Sequence, residues 1–121
     1  MIRVLVADDS RVMRQIVTRT LRQAGFDNHD LVEAADGAEA VAKAADEKPD
    51  LIISDWNMPE MTGIECLEAL RAAGSQVPFG FVTSEGSPEM REKAANAGAL
   101  FLIAKPFTED TFREHLDGVI A

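Results

Sequence analysis

The chain has one cysteine, two histidines and one tryptophan, and it is short of positive charge, with 12 Lys and Arg against 21 Asp and Glu and a net charge of -9. The lone Cys66 has no partner for an internal disulfide, which agrees with a reducing compartment. No histidine or motif accompanies it, so it reads as a small apolar residue on a helix. The acidic balance argues against direct binding to nucleic acid, whose affinity comes largely from cationic contacts to phosphate. No run is long and apolar enough to span a bilayer. Met1 leads at once into a β-rich run containing Arg3 and then into Asp8 and Asp9, which is not how a secretory signal is built. The expectation is a cytoplasmic chain without membrane insertion. A phosphate-cradling glycine loop is also missing, since neither Gly86 nor Gly98 belongs to one, and this counts against a bound flavin or dinucleotide.

At 121 residues, 46% hydrophobic and 27% charged, the chain has the size and mixture of one globular domain spanning 1–121. Its apolar pattern alternates between two periods. Ile2 to Ala7 form a β-rich run that stops at Asp8-Asp9-Ser10. Met13, Ile16, Val17, Thr20, Leu21 and Ala24 then recur at helical spacing, with Gly25 as the stop. Leu31–Ala34 precede a helix whose start is marked by Asp36 and Glu39. Leu51–Ser54 stop at Asp55 and the turn-rich Asn57-Met58-Pro59, and a helix resumes near Gly63 with Ile64, Leu67 and Leu70 inward. The run Pro78–Val82 ends at Thr83 and Ser84. Ser87-Pro88 then open a helix with Met90, Ala94 and Ala97. Leu100–Ala104 end at Lys105-Pro106, and Thr108 caps a last helix with Phe112, Leu116, Val119 and Ile120 inward.

Five strand-then-helix units in series imply an α/β fold: a doubly wound parallel sheet with helices on both faces. Ligands of such sheets bind outside the carboxyl ends of the strands. Those ends are Asp8 and Asp9, Asp55, Thr83 and Lys105. With the first and third strands as central neighbours, three carboxylates share one pocket with a hydroxyl and an ammonium. Carboxylates that close repel unless a cation offsets them, and an all-oxygen set suits a hard divalent ion such as Mg²⁺, not zinc. A carboxylate can also attack phosphorus, with transfer depending on positioning and on neutralising the phosphoryl oxygens. Each residue alone has a plainer explanation: Asp8, Asp9 and Asp55 as helix caps, Thr83 and Ser84 as turn formers, Lys105 as solvated surface. Those explanations do not account for four strands ending in acid, acid, hydroxyl and base on the same edge.

Asp8-Asp9, the stretch Asp55-Trp56-Asn57-Met58-Pro59, Gly63, Thr83 and Lys105-Pro106-Phe107 resemble the receiver domains of bacterial two-component response regulators, most closely the stand-alone CheY-like chemotaxis type. The resemblance covers essentially the whole chain. It implies a flavodoxin-like (βα)5 fold with strand order 2-1-3-4-5 and a cis Lys105-Pro106 bond. It implies Asp55 as phosphoacceptor, with Mg²⁺, or Mn²⁺ as substitute, held by Asp9, Asp55 and the backbone carbonyl of Asn57, and Asp8 assisting through water. Lys105 would pair with the phosphoryl group and the Thr83 hydroxyl would move to bond it. The phosphodonor would be a histidine kinase, and the chain would be a self-dephosphorylating signalling protein and not an enzyme. Asn57 and Glu85 resemble residues of the members that dephosphorylate quickly. The target would be a flagellar motor switch or phosphorelay protein, and the chain a monomer.

Two positions depart from that pattern. Leu102 stands where many relatives carry a switch aromatic, with Phe101 expected on the opposite sheet face, and Thr62 precedes Gly63 where an acid is frequent. Trp56 is expected to be a partly exposed aromatic without a direct role. His29, in a loop, and His115, on the last helix, are expected at the surface away from the pocket. The competing readings are a receiver cut from a longer regulator and a Mg²⁺-dependent phosphatase of the haloacid-dehalogenase type. Against the latter, the chain has Asp55-Trp56-Asn57 where those enzymes carry Asp-x-Asp.

Overall fold

The computed structural model describes residues 2–26 and 29–119. Strands and helices alternate as β1 (Ile2–Ala7), α1 (Arg11–Gln23), β2 (His29–Ala34), α2 (Gly37–Glu47), β3 (Leu51–Ser54), α3 (Gly63–Ala72), β4 (Phe79–Thr83), α4 (Pro88–Ala97), β5 (Phe101–Ala104) and α5 (Glu109–Leu116). The five strands are all parallel in the order β2-β1-β3-β4-β5, so the expected doubly wound sheet forms in the expected order. Ile120, expected to face inward, lies outside the described residues.

Successive strand residues point to opposite faces, and each face is closed by its own helices. Leu5, Ile52, Phe79, Phe81 and Leu102 pack with Ala40 of α2, Leu67 and Leu70 of α3 and Ala94 of α4. Val4, Val6, Ile53, Val82, Phe101 and Ile103 pack with Val17 and Leu21 of α1 and Phe112 and Leu116 of α5. Leu102 and Phe101 therefore do face opposite sides. Phe101 fits because Gly80 is its neighbour on β4: a β-carbon there would overlap the Phe101 ring. Phe79, Phe81 and Phe112 have no solvent exposure, and truncating a buried Phe to Ala costs about 3–5 kcal/mol.

Helix starts follow the sequence signals. Asp36, Ser87 and Thr108 accept the amides of Glu39, Met90 and Thr111. Thr62 forms a capping box with Glu65, so the departure at this position has a local structural job.

Three expectations need correction. His29 opens strand β2 and is half-buried, its Nδ1 2.7 Å from the Phe26 carbonyl, because edge pairing with β1 recruits even this polar residue. His115 is also half-buried, held by the Thr111 carbonyl and tilted against Phe101. Leu100 precedes β5 in place of opening it and is 57% exposed, since the chain is still leaving the left-handed turn at Gly98.

Candidate phosphoacceptor and metal site

Register assembles the site. Ala7 lies opposite Ser54, so Asp8 and Asp55 leave neighbouring strands side by side. The ladder continues past the strand ends: Asp8 N–H donates to Ala34 O at 3.0 Å, Asp55 N–H to Ala7 O at 2.8 Å and Lys105 N–H to Thr83 O at 2.7 Å. The side chains thus start from backbone already fixed by the sheet. Ser10 caps α1, accepting from Met13 N–H, which leaves Asp8 and Asp9 free of that duty.

Asp8 is buried, Asp55 half-buried and Asp9 exposed, and one carboxylate oxygen from each lies within 4.8 Å of the other two. Lys105 Nζ stands 3.4 Å from Asp8 Oδ2 and 3.7 Å from Asp55 Oδ2. Asp8 Oδ1 accepts Ser10 N–H, and Asp55 Oδ1 accepts Trp56 N–H. Thr83 is fully buried, its Oγ1 accepting Glu85 N–H at 3.3 Å. The Lys105-Pro106 bond is cis, as the resemblance implied.

Burial is the main force on Asp55 and pushes its carboxyl above the usual range. The Lys105 ammonium pulls it back, the Asp8 charge raises it, the Trp56 N–H lowers it, and Asp9 raises it again. Like unit charges about 4 Å apart near a protein surface cost about 4 kcal/mol. One ammonium against three carboxylates leaves negative charge that a divalent cation would offset. An all-oxygen donor set is the chemistry hard cations take, so the residues fit such an ion.

The structure brings Asp8, Asp9, Asp55, Thr83 and Lys105 to one edge. Asn57 and Glu85 are exposed in the β3–α3 and β4–α4 loops beside it. Trp56 corrects its expectation: it is only 9% exposed, its ring centroid 4.8 Å from that of Phe81, because the turn after β3 folds it back onto the sheet. Sequence reasoning missed Arg14, whose Nη1 donates to Asp8 O at 2.6 Å while its Nε pairs with Glu33. Its place one turn into α1 was visible, but its reach back toward the site depends on a rotamer that spacing does not reveal. Cys66 is fully buried, and burial pushes its thiol up to about 12, in keeping with an inert core residue.

The family model of the response regulator receiver domain matches residues 4–117. The chain belongs to that family. It is accordingly a signalling phosphoacceptor domain and not a turnover enzyme. It is 37% identical to chemotaxis protein CheY1 of Helicobacter pylori over 98% of this chain and 96% of that one. It is 39% identical to chemotaxis protein CheY-3 of Vibrio cholerae over 97% and 90% of the two chains. The structure of Vibrio cholerae chemotaxis protein CheY4 superposes with a TM-score of 0.85 at 41% identity, covering 99% of both chains. The receiver domain of NarL from Mycobacterium tuberculosis gives 0.86 at 28% identity over 98% and 95%. Among the described residues, no helix of this receiver domain is long and apolar enough to cross a membrane.

Proposed function

We propose that this receiver domain takes a phosphoryl group onto Asp55 from the phosphohistidine of a histidine kinase and, in its phosphorylated form, signals to a motility-control partner of the flagellar-switch kind. The observation that carries the reading is the convergence of Asp55 with Lys105 at 3.7 Å and with two further carboxylates within 4.8 Å. An oxygen of Asp55 forms the new bond to phosphorus as the bond from phosphorus to the donor's nitrogen breaks, and the electron pair leaves with that nitrogen. Lys105 would meet charge on the phosphoryl oxygens, and the Thr83 hydroxyl would move to donate to one of them. Asp8, Asp9, Asp55 and the Asn57 carbonyl would hold Mg²⁺, which when bound neutralises the acidic pocket and the incoming phosphoryl charge. The partner class rests on the chemotaxis relatives, which this chain matches over nearly their whole length.

The test is incubation with acetyl phosphate, with and without Mg²⁺, followed by intact-mass measurement. One phosphoryl group should be gained only with the ion present, and none by Asp55→Asn. Trp56, adjoining Asp55 and packed on Phe81, should change its fluorescence in step. A native chain that stays unmodified overturns the reading. Rapid hydrolysis of general phosphate esters, lost in Asp55→Asn, would favour the phosphatase alternative instead.

A further inference from the structure

With Leu102 in place of an aromatic ring, this domain has no rotating ring at that point on β5, yet a continuous polar chain still runs from the pocket to the α4–β5 face. Thr83 Oγ1 accepts Glu85 N–H at 3.3 Å. The next residue, Gly86, offers its carbonyl to Arg91 Nε at 3.1 Å, and Arg91 Nη1 donates to the carbonyl of Leu102, also at 3.1 Å. Gly86 suits this place because the loop lies tight against its neighbours. A β-carbon there would stand 3.0 Å from Arg91 Nη2 and 3.4 Å from the Ala104 methyl. One guanidinium thus ties the β4–α4 loop to β5 through two backbone carbonyls, a bridge that the planar fork of Arg makes and of which a lysine can keep at most one bond.

We propose that Arg91 is the positioning residue that couples phosphorylation to the α4–β5 face, holding the β4–α4 loop in its unphosphorylated arrangement. The inference rests on the reading of Asp55 as phosphoacceptor. When the Thr83 hydroxyl turns to a phosphoryl oxygen on Asp55, Glu85 N–H loses its acceptor. The loop keeps its Ser87 cap on α4 and the Arg91 bridge to β5, and its resetting withdraws the Gly86 carbonyl. The guanidinium is freed from one of its two anchors, and the groove between Arg91, Ala94 and Leu102 changes shape. Coupling is reciprocal: a bond that phosphorylation must break also resists phosphorylation.

Arg91→Ala, Arg91→Lys and native protein are compared in Mg²⁺ with acetyl phosphate. The expected result is phosphorylation about fivefold faster in Arg91→Ala, an intermediate rate in Arg91→Lys, and unchanged Mg²⁺ affinity in both. Loss of a cation alone would slow reaction with an anionic donor, so the sign separates coupling from charge. Amide exchange supplies the second readout. In unphosphorylated Arg91→Ala, segments 84–87 and 101–104 should exchange as fast as in the phosphorylated native chain, while the core of β1 and β3 stays protected. A native chain that is phosphorylated, alongside an Arg91→Ala with native rate and native exchange, overturns the coupling and leaves the phosphoacceptor reading standing. A native chain that takes no phosphoryl group overturns both.

Discussion

Gly63 lies so close to the carbonyl oxygen of Asp55 that any β-carbon would overlap it, and that β-carbon would also stand 2.9 Å from Phe81 Cε1. Gly63 N–H also donates to Trp56 O at 2.8 Å, so the start of α3 is pressed against the two residues that follow β3. Because both obstacles, a backbone carbonyl and a buried ring, have little room to move, Gly63→Ala has nowhere to relax. It should lose about 1–3 kcal/mol of stability in urea denaturation, and its phosphorylation by acetyl phosphate should slow, since the displaced carbonyl belongs to the proposed phosphoacceptor. Unchanged stability would show that the turn moves freely.

Burial raises the Asp55 carboxyl above its ordinary range, against the opposing pull of Lys105. Between the unfolded and folded values the native state therefore holds the extra proton, and stability falls as pH rises through that window. Above it, the ionised Asp55 is a constant cost to the fold. In a chelating buffer, Asp55→Asn should melt higher than native protein at pH 7. The gap should close below about pH 4, the ordinary aspartate range. Identical melting curves at pH 7 would show that Asp55 ionises as if in water.

Much of this was legible beforehand, for identifiable reasons. Strands buried on both faces read as apolar runs, and their polar stops at Asp8, Asp55, Thr83 and Lys105 are the residues that meet at one edge of the sheet. Caps at Asp36, Ser87 and Thr108 announced themselves by residue type. What stayed hidden depends on tertiary partners. Trp56 is buried because Phe81 lies under it, His29 joins a strand because Ile2 pairs with it, and Leu100 is exposed despite its apolarity because a turn ends there. The bonds of Arg14 to Asp8 and of Arg91 to Gly86 and Leu102 are long-side-chain geometries that no spacing rule encodes.

The acidic cluster predicts stabilisation by a divalent ion. An ion that binds only the folded chain adds about 2.7 kcal/mol at a hundredfold excess over its dissociation constant. Mg²⁺ should raise the melting temperature of native protein, and a chelator should reverse the shift. Asp9→Asn removes an exposed charge of the candidate ion site with little effect on packing, so it should fold normally and bind the ion about tenfold or more weakly. Equal Mg²⁺ shifts in the two proteins would place the ion elsewhere.

Helix α1 carries Arg11, Arg14, Arg19 and Arg22 and no carboxylate, in a chain of net charge -9. Arg14 is committed to Glu33 and the Asp8 carbonyl, but Arg11, Arg19 and Arg22 are exposed, beside a Val12 that is 64% exposed. Ser10 caps the helix directly after the acidic rim, and the stripe runs from Arg11 down α1 away from it, so a protein that docks along α1 while presenting its phosphohistidine to Asp55 meets it. A basic stripe attracts an acidic protein donor that the rest of the chain repels, and such steering changes association rates by about 10- to 1000-fold. Reversing Arg19 and Arg22 together to Glu should therefore slow phosphotransfer from an acidic protein donor about tenfold at low salt. The deficit should fade as the screening length falls toward about 3 Å near 1 M salt. Acetyl phosphate needs no docking face, so its rate should be the same for both chains. A protein-donor rate untouched by the double reversal would show that the donor approaches over another face.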